Sequence, residues 1–401
     1  MSVERVTTAM PYAPPRGTRP GNRKELIRRA GAELFYEYGF ASVSMSQIAR
    51  AVSIGPSALY RHFTGKQELL IAVVDASIEE VKDALRLARE GSTADQPASW
   101  DDAFISMALD TRSAGVLWQR EARHLPEPEQ AKLAAAIREI RRELRDSIQL
   151  NHPEIERWEG LFTSAVLSVC LSLSYHHVSL PRPEFELLMK QMVSGVLNVE
   201  LGLAAAGVPG ASPVIAKQPA GTQEKLVAAA SELFARKGFG QTGLEEIADA
   251  VGISEPSIYH HFPSKLDLLF EVLQHGNDAL QKGRAAVLSV PDSPENSLRR
   301  LLVSYLDTVA ADSDLITLLV TELGNLDEEK QAVAVAQQRA YLNQWVDLLL
   351  RVRPKLPRDA ARIRVHAVLT VINDYIARRH GELAAEERAV LILICSGLLG
   401  L

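Results

Sequence analysis

Residues 39–70 read GFASVSMSQIARAVSIGPSALYRHFTGKQELL, and residues 238–270 read GFGQTGLEEIADAVGISEPSIYHHFPSKLDLLF. They are one pattern written twice. At a constant offset of 199, without gaps, Arg23–Val74 and Thr222–Leu273 share 19 identities in 52 positions, among them Leu34/Leu233, Gly39/Gly238, Ile48/Ile247, Tyr60/Tyr259, His62/His261, Phe63/Phe262 and Lys66/Lys265. A repeat of this length decides the architecture before any single motif does. Inside each stretch an apolar-periodic segment (Ser46–Val52, Glu245–Val251) meets a three-residue connection (Ser53-Ile54-Gly55, Gly252-Ile253-Ser254). A second short segment follows (Pro56–Phe63, Glu255–Phe262). Two helices crossing through such a turn form a helix-turn-helix, whose second helix presents its first turn to the DNA major groove. Pro56 suits a first helical position. Gly252 suits the turn, whereas Ser53 costs about 1 kcal/mol if it is left-handed.

The repeat continues downstream. Glu121 and Leu125 align with Glu322 and Leu326 at offset 201, and AVLSV from Ala165 aligns with AVLTV from Ala367 at offset 202. Apolar residues recur at helix spacing in Glu25–Glu37, Lys66–Arg89, Trp100–Ala108 and Glu129–Leu150, so the fold class is all-α. The chain divides into an arm (1–22), a first helix-turn-helix domain (23–75), a helical half (76–203), a linker (204–222) rich in Ala, Gly and Pro, a second helix-turn-helix domain (223–274) and a second helical half (275–401).

Forty-four Lys+Arg against 50 Asp+Glu give a net charge of −6, which by itself argues against a nucleic-acid binder. The average hides unlike parts. Arg23–Val74 carries seven basic and four acidic residues, whereas Thr222–Leu273 carries four and eight. Phosphate neutralisation supplies much of DNA affinity, so the first domain is expected to dominate and the second to assist or bind weakly. Two cysteines, no signal-peptide pattern and no apolar run long enough to span a bilayer point to a cytoplasmic protein that does not engage membranes. No Gly-rich phosphate loop, GxSxG, HExxH or paired CxxC is present, so no enzyme and no cofactor are expected. The neighbours His176 and His177 diverge by about 100° on a helix, so no metal site is expected.

In these residues the chain resembles the TetR family of bacterial repressors, in a tandem form. Its two stretches match the family pattern GF-x-x-T-[ST]-x-x-x-IA-x-x-AGVS-x-G-x-LY-x-HF-x-x-K-x-x-L. The resemblance implies that Tyr60, His62 and Lys66, and likewise Tyr259, His261 and Lys265, clamp phosphates of double-stranded operator DNA. These side chains can hold register without reading sequence. Base readout falls to Gly55, Ser57, Ala58 and Arg61 in copy one, and to Glu255, Ser257 and His260 in copy two, with Ser254 a further DNA contact. There are departures. Val43 replaces the helix-opening Thr and leaves Ser44 as N-cap, copy two keeps Thr242 but follows it with Gly243, Ser44 and Thr242 being implied DNA contacts, and the recognition-helix Gly is Ser57 in one copy and Pro256 in the other.

The resemblance places an effector pocket in each helical half, with Phe104, Met107, Trp118 and Phe162, and Tyr305, Tyr341 and Trp345, as candidate walls; packing core is the competing reading. Glu121 and Glu322 are placed either for a polar ligand group or for a structural salt bridge. The family-level effector is small and hydrophobic, such as a fatty acyl thioester. Leu161–His177 with Phe185–Leu203, and Ile363–Arg379 with Glu387–Leu401, correspond to the helices through which members dimerise. A 19-residue linker reaches roughly 65 Å, enough for both pairs to form one bundle within the chain, as an intramolecular pseudo-dimer or within a further homodimer. The competing class is a regulator-derived interaction protein whose acidic second domain binds a partner.

Overall fold

The computed structural model describes residues 22–90, 100–201, 221–379 and 381–401; the arm and nearly all of the linker lie outside them. Among the described residues there is no strand, and no helix is long and apolar enough to cross a membrane. The chain forms two compact units that do not follow the repeat. The first is residues 1–148 with 173–175; the second is residues 149–172 with 176–401.

In the first unit, α1 (Arg23–Tyr38), α2 (Met45–Ala51), α3 (Pro56–Tyr60) and the start of α4 (Lys66–Glu90) enclose a small core of Ile27, Phe35, Ile48, Leu59, Phe63, Leu69 and Leu70, all essentially inaccessible. Phe40 and Ile54 are only partly buried. Next, α5 (Trp100–Asp110) packs along α4, and α6 (Ala114–Val116) widens into a π-helical turn at Leu117–Glu121. A 3₁₀ turn at Ala122–His124 leads to α7 (Glu127–Asn151), which buries Leu133, Ile140 and Leu144 at helix spacing.

The second unit holds α8 (Glu159–Leu171) and α9 (Arg182–Leu197) of copy one, and all of copy two: α10 (Thr222–Lys237), α11 (Leu244–Val251), α12 (Glu255–Ile258), α13 (Lys265–Leu288), α14 (Pro294–Ala311), α15 (Ser313–Thr321), α16 (Glu328–Val352), α17 (Arg358–Arg378) and α18 (Ala385–Leu399). Helix starts follow their caps: Ser264, Ser293, Asp312 and Asp327 each accept a backbone N–H in the first turn.

The four helices α8, α9, α17 and α18 form one bundle, with α8 against α17 and α9 against α18. α8 is apolar nearly all round, as a helix buried on every side must be, whereas α17 buries most of its length although it carries Arg364 and Asp374. At the α9–α18 crossing Gly195 meets Gly397: a Cβ on Gly195 would lie 2.9 Å from the Gly397 carbonyl oxygen, and one on Gly397 2.3 Å from that of Gly195. The two glycines are counterparts in the repeat, each preceded by Ser, so the crossing marks a local two-fold. Ser168 Oγ donates to Asp374 Oδ2 at 2.8 Å across the α8–α17 contact. The Arg364 guanidinium, 3% exposed, donates to the Leu398 carbonyl at 2.6 Å and to Gln191 Oε1 on α9 at 3.2 Å.

Candidate nucleic-acid interface

Each reader is assembled by a capped short helix, a turn and a very short second helix. In copy one the Ser44 hydroxyl accepts the Gln47 N–H at 3.2 Å, while Gln47 Oε1 accepts the Ser44 N–H at 2.7 Å. This capping box satisfies two otherwise orphaned donors at the start of α2. In copy two Gly243 sits at the corresponding N-cap, with no side-chain cap. Thr242, expected at the DNA surface, is 2% exposed and donates inward to the Gly238 carbonyl at 2.9 Å. Its copy-one counterpart Val43 is buried too, so this position belongs to the core and Ser44 to the surface.

The turns then differ as their residues require. Gly252 adopts φ 75° without strain, and Ser53 is forced to φ 56°, the only positive-φ residue other than glycine among those described. Both second helices are shorter than their sequence pattern suggests, ending at Tyr60 and Ile258. The following turns keep helical pairing: the N–H groups of His62 and Phe63 return to Leu59 O at 2.9 and 3.1 Å, and those of His261 and Phe262 to Ile258 O at 2.8 Å. Leu59 and Ile258 pin these helices to their cores.

The outward faces carry most of the residues expected there. Gly55, Ser57, Tyr60 and Arg61 are exposed, with Ala58 and His62 half-buried; Ser254, Glu255, Tyr259, His260 and His261 are exposed, and the half-buried Ser257 hydrogen-bonds Ser254 through the hydroxyls at 2.8 Å. Tyr60 is 51% and Tyr259 52% exposed, so neither ring is spent on packing.

The lysines do something else. Lys66 Nζ donates to the Phe40 and Ala41 carbonyls at 2.7 and 3.3 Å and lies 4.4 Å from the Phe40 ring centroid. Lys265 Nζ likewise donates to Phe239 O and lies 4.3 Å from the Phe239 ring centroid. In place of a free phosphate clamp, each ammonium ties the α1–α2 or α10–α11 loop to the next long helix. Burial draws both ammonium pKa values down, and the nearby Glu121 or Glu322 pulls them up.

Glu121 is a linker residue too. It is 1% exposed, its Oε2 accepts the Phe40 N–H at 2.8 Å, and its Oε1 pairs with Arg120. Arg120, unremarked in the sequence, donates onward to the Phe35 and Tyr36 carbonyls at 3.0 and 2.9 Å. The π-helical turn is thereby bonded to the end of α1, and the salt-bridge reading of Glu121 replaces the ligand reading. Glu322 is equally buried, and its partners include the neighbouring Asn325 and Thr321; Thr321 stands where copy one has Arg120. A lone Arg next to a Glu that recurs in both copies was the available signal.

Of the candidate pocket residues, Trp118 donates through Nε1 to Ser77 Oγ at 2.8 Å, which locks the indole in the first unit; Phe104 is buried and Met107 half-buried there, while Phe162 lies buried in the second unit. In copy two, Tyr305, Tyr341 and Trp345 do come together, with ring centroids 5.9–6.5 Å apart, and the Tyr305 hydroxyl donates to Asn373 Oδ1 at 2.8 Å. Burial pushes both phenols well above their ordinary pKa, so they stay neutral donors. The repeat positions of this cluster in copy one are Phe104, Ile140 and Leu144, an apolar set.

Comparison with known proteins bears on the same residues. The sequence profile described as "Bacterial regulatory proteins, tetR family" matches twice, at residues 27–73 and 226–272. The chain is 38% identical over 89 residues, 22% of its length, to the HTH-type transcriptional activator FasR of Mycolicibacterium smegmatis, spanning 41% of that protein. It is 29% identical over 139 residues, 34% of its length, to the HTH-type transcriptional repressor KstR2 of the same organism, spanning 68% of it. A TetR-family transcriptional regulator from Bordetella parapertussis 12822 aligns structurally over 43% of this chain and 93% of that one, with a TM-score of 0.41 and 24% identity. The family's DNA-binding domain is thus present in both halves, at the two helix-turn-helix units just described, so the chain carries two TetR-family DNA-binding domains in tandem.

Proposed function

We propose that the chain is a cytoplasmic repressor in which one polypeptide supplies both readers of a pseudo-dimer, released from operator DNA by a small, lipid-like effector. The observation that carries the reading is the exposed Tyr60 and Arg61 beside α3, on a domain with an excess of basic residues. Arg61 can take a guanine edge in the major groove, while Tyr60 and His62 hold the backbone. The bundle of α8, α9, α17 and α18 supports the pseudo-dimer, because it joins the two copies through counterpart surfaces within one chain. The aromatic cluster of Tyr305, Tyr341 and Trp345 favours copy two as the seat of the effector. Linkage then requires that DNA weaken effector binding by the factor by which effector weakens DNA binding.

The test is a salt-dependent gel shift on DNA upstream of the chain's own gene. A specific shift abolished by Tyr60→Ala with Arg61→Ala supports the reading, and no specific shift at any salt rejects it. One observation favours a second role for reader two: Glu245, Asp249 and Glu255 are exposed where phosphates would have to approach. On that reading this acidic face binds a basic protein partner. Changing the three to Lys raises operator affinity if the face looks at DNA and leaves it unchanged if it serves a protein.

A further inference from the structure

The bundle brings counterpart helices together, yet its polar contacts have no counterparts. With the repeat offset of 202 that places Ser194-Gly195 over Ser396-Gly397, the position matching Arg364 is Phe162 and the one matching Gln191 is Leu393. The cross-copy pair Arg364–Gln191 therefore faces, on the other side of the local two-fold, the positions of an apolar pair. In the same way Ser168 and Asp374 correspond to Thr370 and Ser172. Both buried charges in this interface, Arg364 and Asp374, are contributed by copy two, and both meet side chains of copy one. Copy one offers Phe162, Gln191 and Ser168, which need no charged partner of their own.

We infer that the α17–α18 face of copy two is built to accept the α8–α9 face of copy one and to reject a second copy of itself. Pairing copy two with copy two would set each Arg364 against Leu393, removing its one side-chain partner. Asp374 would then meet Thr370, the counterpart of Ser168, so the discrimination rests on Arg364. A buried guanidinium stripped of a hydrogen-bond partner opposes that assembly. The strength of the Arg364 interaction follows from its surroundings: burial, with Arg353 nearby, holds the guanidinium down to about 10, so it depends on the acceptors around it. Complementary polar residues on opposite sides and unfavourable juxtapositions in the wrong pairing are how interfaces choose between similar partners. The inference is independent of the operator reading, since the pairing holds in a chain that never touches DNA.

The test uses the full chain with a protease site introduced within residues 204–220. The nicked protein is unfolded in urea, refolded, and the composition of its pairs read by native mass spectrometry, which separates mixed pairs from pairs of identical halves. Mixed pairs are expected to exceed copy-two pairs by about tenfold or more, equivalent to about 1.4 kcal/mol. In Asp374→Ser/Arg364→Phe, which gives copy two the residues of copy one, pairs of copy two with itself are expected to appear alongside mixed pairs. Random pairing in the unsubstituted protein would overturn the inference, as would dissociation into single halves. A gel shift run in parallel on the intact chain reports the operator reading separately.

Discussion

The two readers have the same interior and different exteriors. Phe35 and Phe234, Ile48 and Ile247, and Leu59 and Ile258 fill equivalent places, and both domains keep an exposed Tyr and a lysine tied into the preceding loop. Outside, copy one has a capped α2, a left-handed Ser53, an exposed Arg61 and bonds from Arg120 and Glu121 to the end of α1. Copy two has an uncapped α11, a relaxed Gly252, exposed Glu245 and Glu255, and Thr321 where Arg120 would be. Packing has been held constant while charge and coupling have diverged, so the difference concerns what each reader faces and not how it folds.

The comparison breaks most decisively at the DNA surface. Tyr60→Ala with Arg61→Ala is expected to cut operator affinity by about a hundredfold, about 2–3 kcal/mol, and Tyr259→Ala with His260→Ala by less than about fivefold. Gel-shift titrations at one fixed salt concentration decide it, and equal losses would mean that both readers carry the complex. Next in size is the bond between π-helical turn and reader. Arg120→Thr, the copy-two residue, should destabilise reader one by about 2 kcal/mol by leaving the buried Glu121 and two carbonyls without their cation. Amide hydrogen exchange at Tyr36–Phe40 would show the loosening, and unchanged protection there would remove the coupling from the account.

A comparable effect separates the copies by pH. His366 packs at a tilt against His176, ring centroids 4.9 Å apart, and burial with the neighbouring Arg362 holds its pKa down to about 4, from 6.5. The folded state therefore keeps this imidazole neutral while the unfolded chain protonates it. Stability is full above about pH 6.5 and falls by about 2 kcal/mol as pH drops towards 4. His366→Ser, the residue copy one carries at Ser164, should flatten that slope in urea melts. The smallest change tests the turns: Ser53→Gly should stabilise reader one by about 1 kcal/mol, and Gly252→Ser should cost reader two as much, both read from thermal unfolding.

Much of this was legible beforehand, for physical reasons. The repeat, the helix-turn-helix spacing and the Ser44 cap are local signals, carried by residues a few positions apart, and they survived contact with the structure. Thr242, Lys66 and Glu121 have intramolecular partners that were not legible, because their identities suit a surface, a phosphate or a ligand as well as they suit the interior, and only the fold says which carbonyl lies within reach. Lys66 meets a loop 26 residues earlier, and Glu121 a backbone amide 81 residues earlier. Helical periodicity also could not tell that α8 belongs to the compact unit of copy two, because a helix apolar on all sides shows no preferred neighbour.

The meeting of Gly195 and Gly397 has a consequence for how such a chain can change. In a dimer of identical subunits one codon writes both sides of the axis, so an interface residue survives only if it suits its own image. Duplication within one chain gives each side its own codon, and Arg364 opposite Gln191 is a use of that freedom. At the glycines the freedom is withdrawn, since a methyl group on either would strike the carbonyl of the other. The two copies are thus free to drift everywhere around this crossing, but each remains hostage to the other at it.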